Sequence, residues 1–383
     1  MIPRFNKTIL ACVILLSGMG LLSLWTQAPS TNLAGQSITQ SIFLKQLTFL
    51  GISLVTMVLV AWPNYLNYRH LAFVLYVVLL GLLALLLVKG SYVNGARCWF
   101  DFKVVKFQPA EFMKIALVLV LANVLMYGRD LHTWRGLLLP IALTAAPAAL
   151  IVVQPDMGTT ILLVPTLFAM LFAAGARKRH LAIIVLLLLA AAPVVWFAGM
   201  KDYQRMRILS FLTGGGYQVG QSIKACTAGG GFGRGMGESG AASPYFIPER
   251  HTDFVFSIIA EDLGFAGSSF VLLLIAIYFS TSLKIAHDSR EPFGRLIVVG
   301  LTTLFATQTF INIGMTLGVA PITGLTLPFV SYGGSSLVAC SISAGLILNV
   351  AARWQPGFSS RDMAGGSVEI RDLQPRSVVG VGQ

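Results

Sequence analysis

The sequence predicts an all-α polytopic membrane protein with about ten transmembrane helices, and three observations carry that prediction. The chain is 383 residues long, 56% hydrophobic and only 11% charged, whereas a soluble domain carries roughly 25% charge. Apolar runs recur at lengths near the ~20 residues that cross a hydrocarbon core. Backbone groups in lipid must pair within their own segment, so these runs are helices.

The spans fall at 9–24, 42–62, 71–88, 112–127, 137–153, 159–174, 181–197, 254–283, 296–317 and 335–352. The first follows Arg4 and Lys7 and resembles a signal peptide. It is read as a retained helix, because no small-residue cleavage pattern follows it. Trp25 and Trp62 stand at span ends as interfacial anchors. Arg69, Arg129, Arg135, Arg177, Lys178, Arg179, Lys284, Arg290 and Arg295 gather in short loops on one side, with Arg4, Lys7 and Arg353. The positive-inside rule puts that side, and both termini, in the cytoplasm. The polar tail, 354–383, reads as disordered. Residues 1–353 form one transmembrane domain.

The other side carries the chemistry. The loop after the third span holds Arg97, Trp99, Asp101, Lys103 and Lys106, with a turn signal at Asn94-Gly95. Gln108-Pro109 then opens a helix. Glu111 and Lys114 are three residues apart and share a helix face. Their pair either fixes helix register or lines a cavity reached by a polar ligand. Gln154-Pro155-Asp156 breaks two apolar helices. There Asp156 caps the next helix, holds a cation, or binds a sugar hydroxyl.

The outer loop between spans 7 and 8, residues 201–253, is the longest polar segment. Its glycines, at 214–216 and 229–237, follow no strand, which argues against a dinucleotide fingerprint. They suit close approach of backbone to a ligand or to another helix. A short interfacial or re-entrant helix is expected at 217–227. Asp253 stands where this loop becomes the eighth span, and Glu261 and Asp262 follow. A charged side chain entering an apolar span costs about 3 kcal/mol, so such residues read as functional. His251 beside Asp253 invites a hydrolase reading, but no Ser or Cys sits in a nucleophile elbow. The competing account of Asp253, or of Thr252, is an N-cap. In the last outer loop, prolines and glycines interrupt two apolar runs, and Ser331, Tyr332, Ser335 and Ser336 supply neutral hydrogen bonds. Asn312 is a polar residue placed to join helices.

Outer cations, Arg97, Lys103, Arg205, Arg207 and Arg250 among them, suit an anionic headgroup or diphosphate. The alternative is that long loops cross regardless of charge. Four cysteines show no metal spacing, and Cys98 and Cys226 are open to pairing in an oxidising compartment. No zinc site is indicated.

These motifs resemble a known family. They are Trp99 with Phe-Gln-Pro-Ala-Glu-Phe-Met-Lys at 107–114, Gln-Pro-Asp-Met-Gly-Thr at 154–159, Gly216-Tyr-Gln with Gln221-Ser, Pro-Glu-Arg-His-Thr-Asp-Phe at 248–254 with Ala260-Glu-Asp-Leu-Gly264, Asn312-Ile-Gly-Met-Thr, and Leu-Pro-Phe-Val-Ser-Tyr-Gly-Gly-Ser-Ser at 327–336. In this order they are similar to the SEDS proteins of bacteria, RodA, FtsW and SpoVE, and most like RodA.

The resemblance implies a multi-pass enzyme of the cytoplasmic (inner) membrane. It would polymerise lipid II on the outer face, alongside a class B penicillin-binding protein and other elongation-complex membrane proteins, with no nucleic acid involved. It maps the family's essential aspartate onto Asp253. The donor sugar leaves as polyprenyl diphosphate, so a base for the acceptor hydroxyl is the remaining need. The expected base is Asp253. Arg97, Lys103, Lys114, Arg205, Arg207 and Arg250 are the candidates to stabilise the diphosphate charge, with Glu111 and Glu261 expected to support the site. Trp99, Asp156, Gln221, His251, Thr252, Ser331, Tyr332 and Ser335 complete the expected substrate contacts. A divalent cation, Mg or Mn, can share the diphosphate without a fixed site visible in sequence. The rival readings are a septal polymerase of the FtsW kind, a flippase of lipid-linked precursor, and a non-catalytic scaffold.

Overall fold

A computed structural model describes residues 5–26, 38–93, 96–102, 106–128, 131–194, 196–197, 202–213, 216–236, 247 and 250–353. Lys103 and the tail from 354 lie outside them. The helices, in order, are α1 (Lys7–Thr26), α2 (Ile38–Ala61), α3 (Tyr68–Lys89), α4 (Pro109–Leu125), α5 (Trp134–Val153), α6 (Met157–Ala173), α7 (Lys178–Val194), α8 (Asp202–Leu212), α9 (Tyr217–Ala228), α10 (Val255–Asp288), α11 (Pro292–Thr316) and α12 (Gly334–Arg353).

Seven of these, α1, α2, α3, α5, α10, α11 and α12, are long and apolar enough to cross a membrane. Three more of 17 residues each, α4, α6 and α7, stand at the remaining expected spans. α4 is apolar nearly all round and buried nearly all round, from Pro109 to Leu125. A helix of that composition belongs inside a bundle, and α3, α6, α11 and α12 surround it. The outer helices α2, α3, α5 and α7 keep large apolar side chains exposed, among them Leu59, Val77, Leu138 and Leu186. That is the surface a bilayer covers.

Two features differ from a purely helical reading. The loop after α3 folds into a three-stranded antiparallel sheet of β1 (Ser91–Val93), β2 (Ala96–Asp101) and β3 (Lys106–Phe107). Ser91 faces Trp99 and Phe100 faces Phe107. Aromatic and β-branched residues on a half-covered surface favour strand pairing, and the proximity of an apolar span hid that signal. The expected helix at 217–227 is present as α9.

The other difference is in α10. Its 34 residues are interrupted at Gly264, where φ is 65° and ψ is −156°. Only glycine adopts that conformation readily. The part after Gly264 runs to Asp288, roughly 36 Å at 1.5 Å per residue, which is enough to span. The part before it is a short helix that carries Glu261 and Asp262, so these acids do not sit in an unbroken span.

Candidate active site

The broken helix is completed by the outer loop. The amides of Arg234 and Gly235 donate to the carbonyls of Glu261 and Asp262 at 2.9 and 3.3 Å. On the other side of the break, the amides of Phe265 and Ala266 donate to the carbonyls of Gly230 and Gly231 at 2.9 and 3.1 Å. Helix ends leave such groups unpaired unless something supplies partners. The glycines allow it. A Cβ at Gly229 would lie 1.8 Å from the Ala260 carbonyl oxygen, and one at Gly233 would lie 2.0 Å from that of Asp262. The glycine-rich stretch is thus a backbone seal on α10.

Side chains lock the same seam. Glu261 is fully buried and accepts from Arg250 Nη2 at 3.2 Å and Arg234 Nη1 at 3.4 Å. Two guanidiniums thus share the Glu261 carboxylate. Burial lowers the pKa of Arg250, and Glu261 and Asp262 pull it back up. Asp262 accepts from Thr26 Oγ1 at 2.6 Å, which fastens α1 to the short helix.

Asp253 lies one residue before Phe254, which occupies the capping position of α10. Its backbone carbonyl accepts from Asn312 Nδ2 at 2.8 Å, and the same nitrogen reaches the carbonyl of Leu325 at 2.6 Å. Gly324, with φ 73°, lies beside the carboxylate: a Cβ there would stand 3.7 Å from Asp253 Oδ2. The extended segment 321–327 therefore passes directly by Asp253. Phe254, Ala225 and Ile247 form a small buried cluster with Ile322 packed against it, joining α9, α10 and this segment.

One turn from Asn312 on α11, Gln308 makes the parallel connection. Its Nε2 donates to the Thr326 carbonyl at 2.9 Å, and its Oε1 accepts from Lys114 Nζ at 3.3 Å. Lys114 pairs with Glu111 at 2.9 Å, both buried. Asn312 and Gln308 are four residues apart, so one face of α11 holds Asp253, the adjacent carbonyls of Leu325 and Thr326, and the Glu111–Lys114 pair. Gln308 was not anticipated from the sequence. Its spacing from Asn312 in an apolar helix was the available signal.

Asp156 caps α6, accepting from the Thr159 amide at 3.0 Å and hydroxyl at 2.8 Å, and Gln108 Nε2 donates to it at 3.2 Å. Burial raises its pKa, the Thr159 bonds oppose the rise, Glu111 adds to it and Lys114 subtracts. Gly158 packs on the far side of the same segment, where a Cβ would be 2.6 Å from the Thr323 carbonyl oxygen.

The other expected residues divide. The Tyr332 amide donates to the His251 carbonyl at 3.0 Å, and the two rings meet edge to face at 5.6 Å. Thr252 lies between His251 and Asp253, half-buried. Ser331 Oγ accepts from the Leu327 amide at 2.8 Å, and Ser335 Oγ donates to the Lys106 carbonyl at 2.9 Å. Both hydroxyls are buried and fix loop backbone. Gln221 is half-buried on α9, next to Ser222, which bonds the Thr316 carbonyl at 2.8 Å. Arg97 donates to the Leu87 carbonyl near the end of α3 at 3.2 Å. Arg205 donates to the carbonyls of Trp196 and Phe197 beyond α7. Trp99 is half-buried in β2, and Arg207 is exposed on α8. Cys98 and Cys226 are both free thiols, so they do not pair. Cys98 is buried in β2 and donates to the Gln154 carbonyl at 3.2 Å. Among the described residues no group of three or more His, Cys, Asp or Glu could hold a metal.

The model of a family described as cell cycle protein, covering FtsW, RodA and SpoVE, matches residues 6–355. Stage V sporulation protein E of Bacillus subtilis is 35% identical over 80% of this chain and 86% of its own. Peptidoglycan glycosyltransferase MrdB of Escherichia coli is 34% identical over 79% and 83%. A probable peptidoglycan glycosyltransferase FtsW of Aliivibrio salmonicida is 36% identical over 89% and 87%. Among solved structures, a chain of a peptidoglycan synthase complex that coordinates polymerization and crosslinking superposes with a TM-score of 0.79. It is 30% identical, over 92% of this chain and 99% of that one. The rod shape determining protein RodA of Thermus thermophilus gives 0.69 at 30% identity, over 91% and 97%.

Proposed function

This chain belongs to the FtsW/RodA/SpoVE family, and from that premise we propose that it is a peptidoglycan glycosyltransferase that polymerises lipid II into glycan strands for wall elongation. The observation that carries the site assignment is the fixing of Asp253. Asn312 holds its backbone, Gly324 leaves space beside its carboxylate, and the Arg250–Glu261–Arg234 cluster begins three residues away.

In the proposed reaction Asp253 accepts the proton of the acceptor sugar's 4-hydroxyl. That oxygen attacks the anomeric carbon of the donor as the bond to the diphosphate oxygen breaks, with inversion at carbon. Polyprenyl diphosphate leaves with the bonding pair. Arg250 and Arg234, held together by Glu261, supply guanidinium donors to the developing negative charge. Lys114, tied to Glu111 and Gln308, supports the segment beside Asp253. Mg or Mn, bound with the diphosphate, would share its charge.

The reaction site is on the outer face of the cytoplasmic membrane, with both termini inside, following the bias of basic loops. The crosslinking partner is a class B penicillin-binding protein, in keeping with the synthase complex that this chain resembles. The near-equal identities to the FtsW and MrdB relatives favour septal synthesis as the second reading.

The test is glycan formation from lipid II in detergent by the purified chain with a partner lacking transferase activity. Polymer with the native chain and none with Asp253→Asn is expected. Equal polymer from both would reduce Asp253 to a structural role. No polymer, with lipid II transfer across vesicles, would replace the enzyme by a flippase.

A further inference from the structure

At the opposite end of the bundle, α3, α4 and α5 leave an open groove of about 480 Å³. Arg69, His70, Asn123 and Tyr127 line its polar part, and Phe73 and Leu139 are among its apolar lining. The Arg69 guanidinium lies over the Tyr127 ring, 5.1 Å from its centre, and Asn123 Nδ2 donates to the Arg69 carbonyl at 3.2 Å. The cation is thereby held on a rigid wall with its remaining donors turned to no described carboxylate. Among the described residues the lining carries no carboxylate, and Arg69 and His70 are its basic residues.

The groove also meets the start of α3, whose capping residue Asn67 makes no side-chain bond to the helix. The positive end of that helix dipole adds to the field of Arg69 and His70. Phe73 and Leu139 are 43% and 53% exposed, so an apolar wall continues from Arg69 and His70 along the bundle surface. This is the end where the sequence gathers its basic short loops.

We propose that this groove binds the phosphodiester headgroup of an anionic phospholipid, with an acyl chain along Phe73 and Leu139. A planar guanidinium suits two phosphate oxygens at once. A zwitterionic headgroup would place its own cation among Arg69, His70 and the helix terminus, which disfavours it.

The test uses the full-length protein in detergent and native mass spectrometry of retained lipid. Phosphatidylglycerol and phosphatidylcholine of matched chains are titrated separately onto the native protein and onto a double variant, Arg69→Gln with His70→Gln. The native protein should retain one more phosphatidylglycerol than the variant, with affinity reduced at least roughly fivefold by loss of the Arg69 charge. His70 is exposed, so His70→Gln alone gives a second reading in a protein whose packing is untouched. Identical phosphatidylglycerol retention by native and variant proteins would overturn the proposal. So would equal preference for phosphatidylcholine at this site, or occupancy by inorganic phosphate that blocks lipid retention at millimolar concentration.

Discussion

Asn312 ties two carbonyls with one amide nitrogen, and both belong to segments that meet at Asp253. Replacing it with Leu keeps the volume and strands both carbonyls, at roughly 1–3 kcal/mol for each buried group left unpaired. The expected result is a lower melting temperature and polymerisation slowed by at least about tenfold, the equivalent of 1.4 kcal/mol at the barrier. Unaltered kinetics in a destabilised protein would confine Asn312 to packing. Lys114 poses a separate question. Lys114→Met leaves Glu111 buried without its partner, a change that costs about 3–5 kcal/mol. Glu111→Leu with Lys114→Met should recover most of that stability. If the double variant also recovers polymerisation, the pair only sets the register of α4; a stable but inactive double variant assigns it to the site.

At the scale of elements, the break in α10 is the feature that shapes the site. A continuous helix through Gly264 would carry Glu261 and Asp262 down the span. The break instead leaves them on a short helix sealed by the 229–235 backbone. Gly264→Ala meets two penalties. The backbone conformation costs about 1–3 kcal/mol for a residue with a side chain, and the new Cβ would stand 2.3 Å from the Gly233 amide nitrogen. Thermal unfolding should show a loss above that range, and limited proteolysis should cut faster within 229–236. A stability equal to the native chain would mean that the loop does not seal the helix. Of this arrangement the sequence displayed the glycines and their suitability for close packing. It did not display their partner, because a backbone carbonyl 27 residues away, Glu261 against Arg234, leaves no mark in composition.

For the whole molecule, the ordering of basic loops predicts a membrane orientation that can be read chemically. In a Cys226→Ser background, Thr213→Cys should react with a membrane-impermeant maleimide added to intact spheroplasts, and Asp288→Cys should react only after lysis. Both positions are on described surface or loop-adjacent sites, and the other cysteines, Cys12, Cys98 and Cys340, are buried. The reverse pattern would invert the topology and with it the outer placement of Asp253.

The sequence by itself determined the helical, membrane-spanning nature of the chain, because hydropathy over a bilayer-length window is a local property. It also marked Asp253, Glu111 with Lys114, Asp156 and Asn312, since a polar group among apolar neighbours is conspicuous wherever it falls. The tertiary structure alone decided what these groups touch. Glu261 pairs with two arginines, Asp156 holds Gln108, and Gln308 joins Lys114 to the segment beside Asp253. Each of these is a contact between elements distant in the chain, and its energy depends on distance and burial that only the packed bundle fixes.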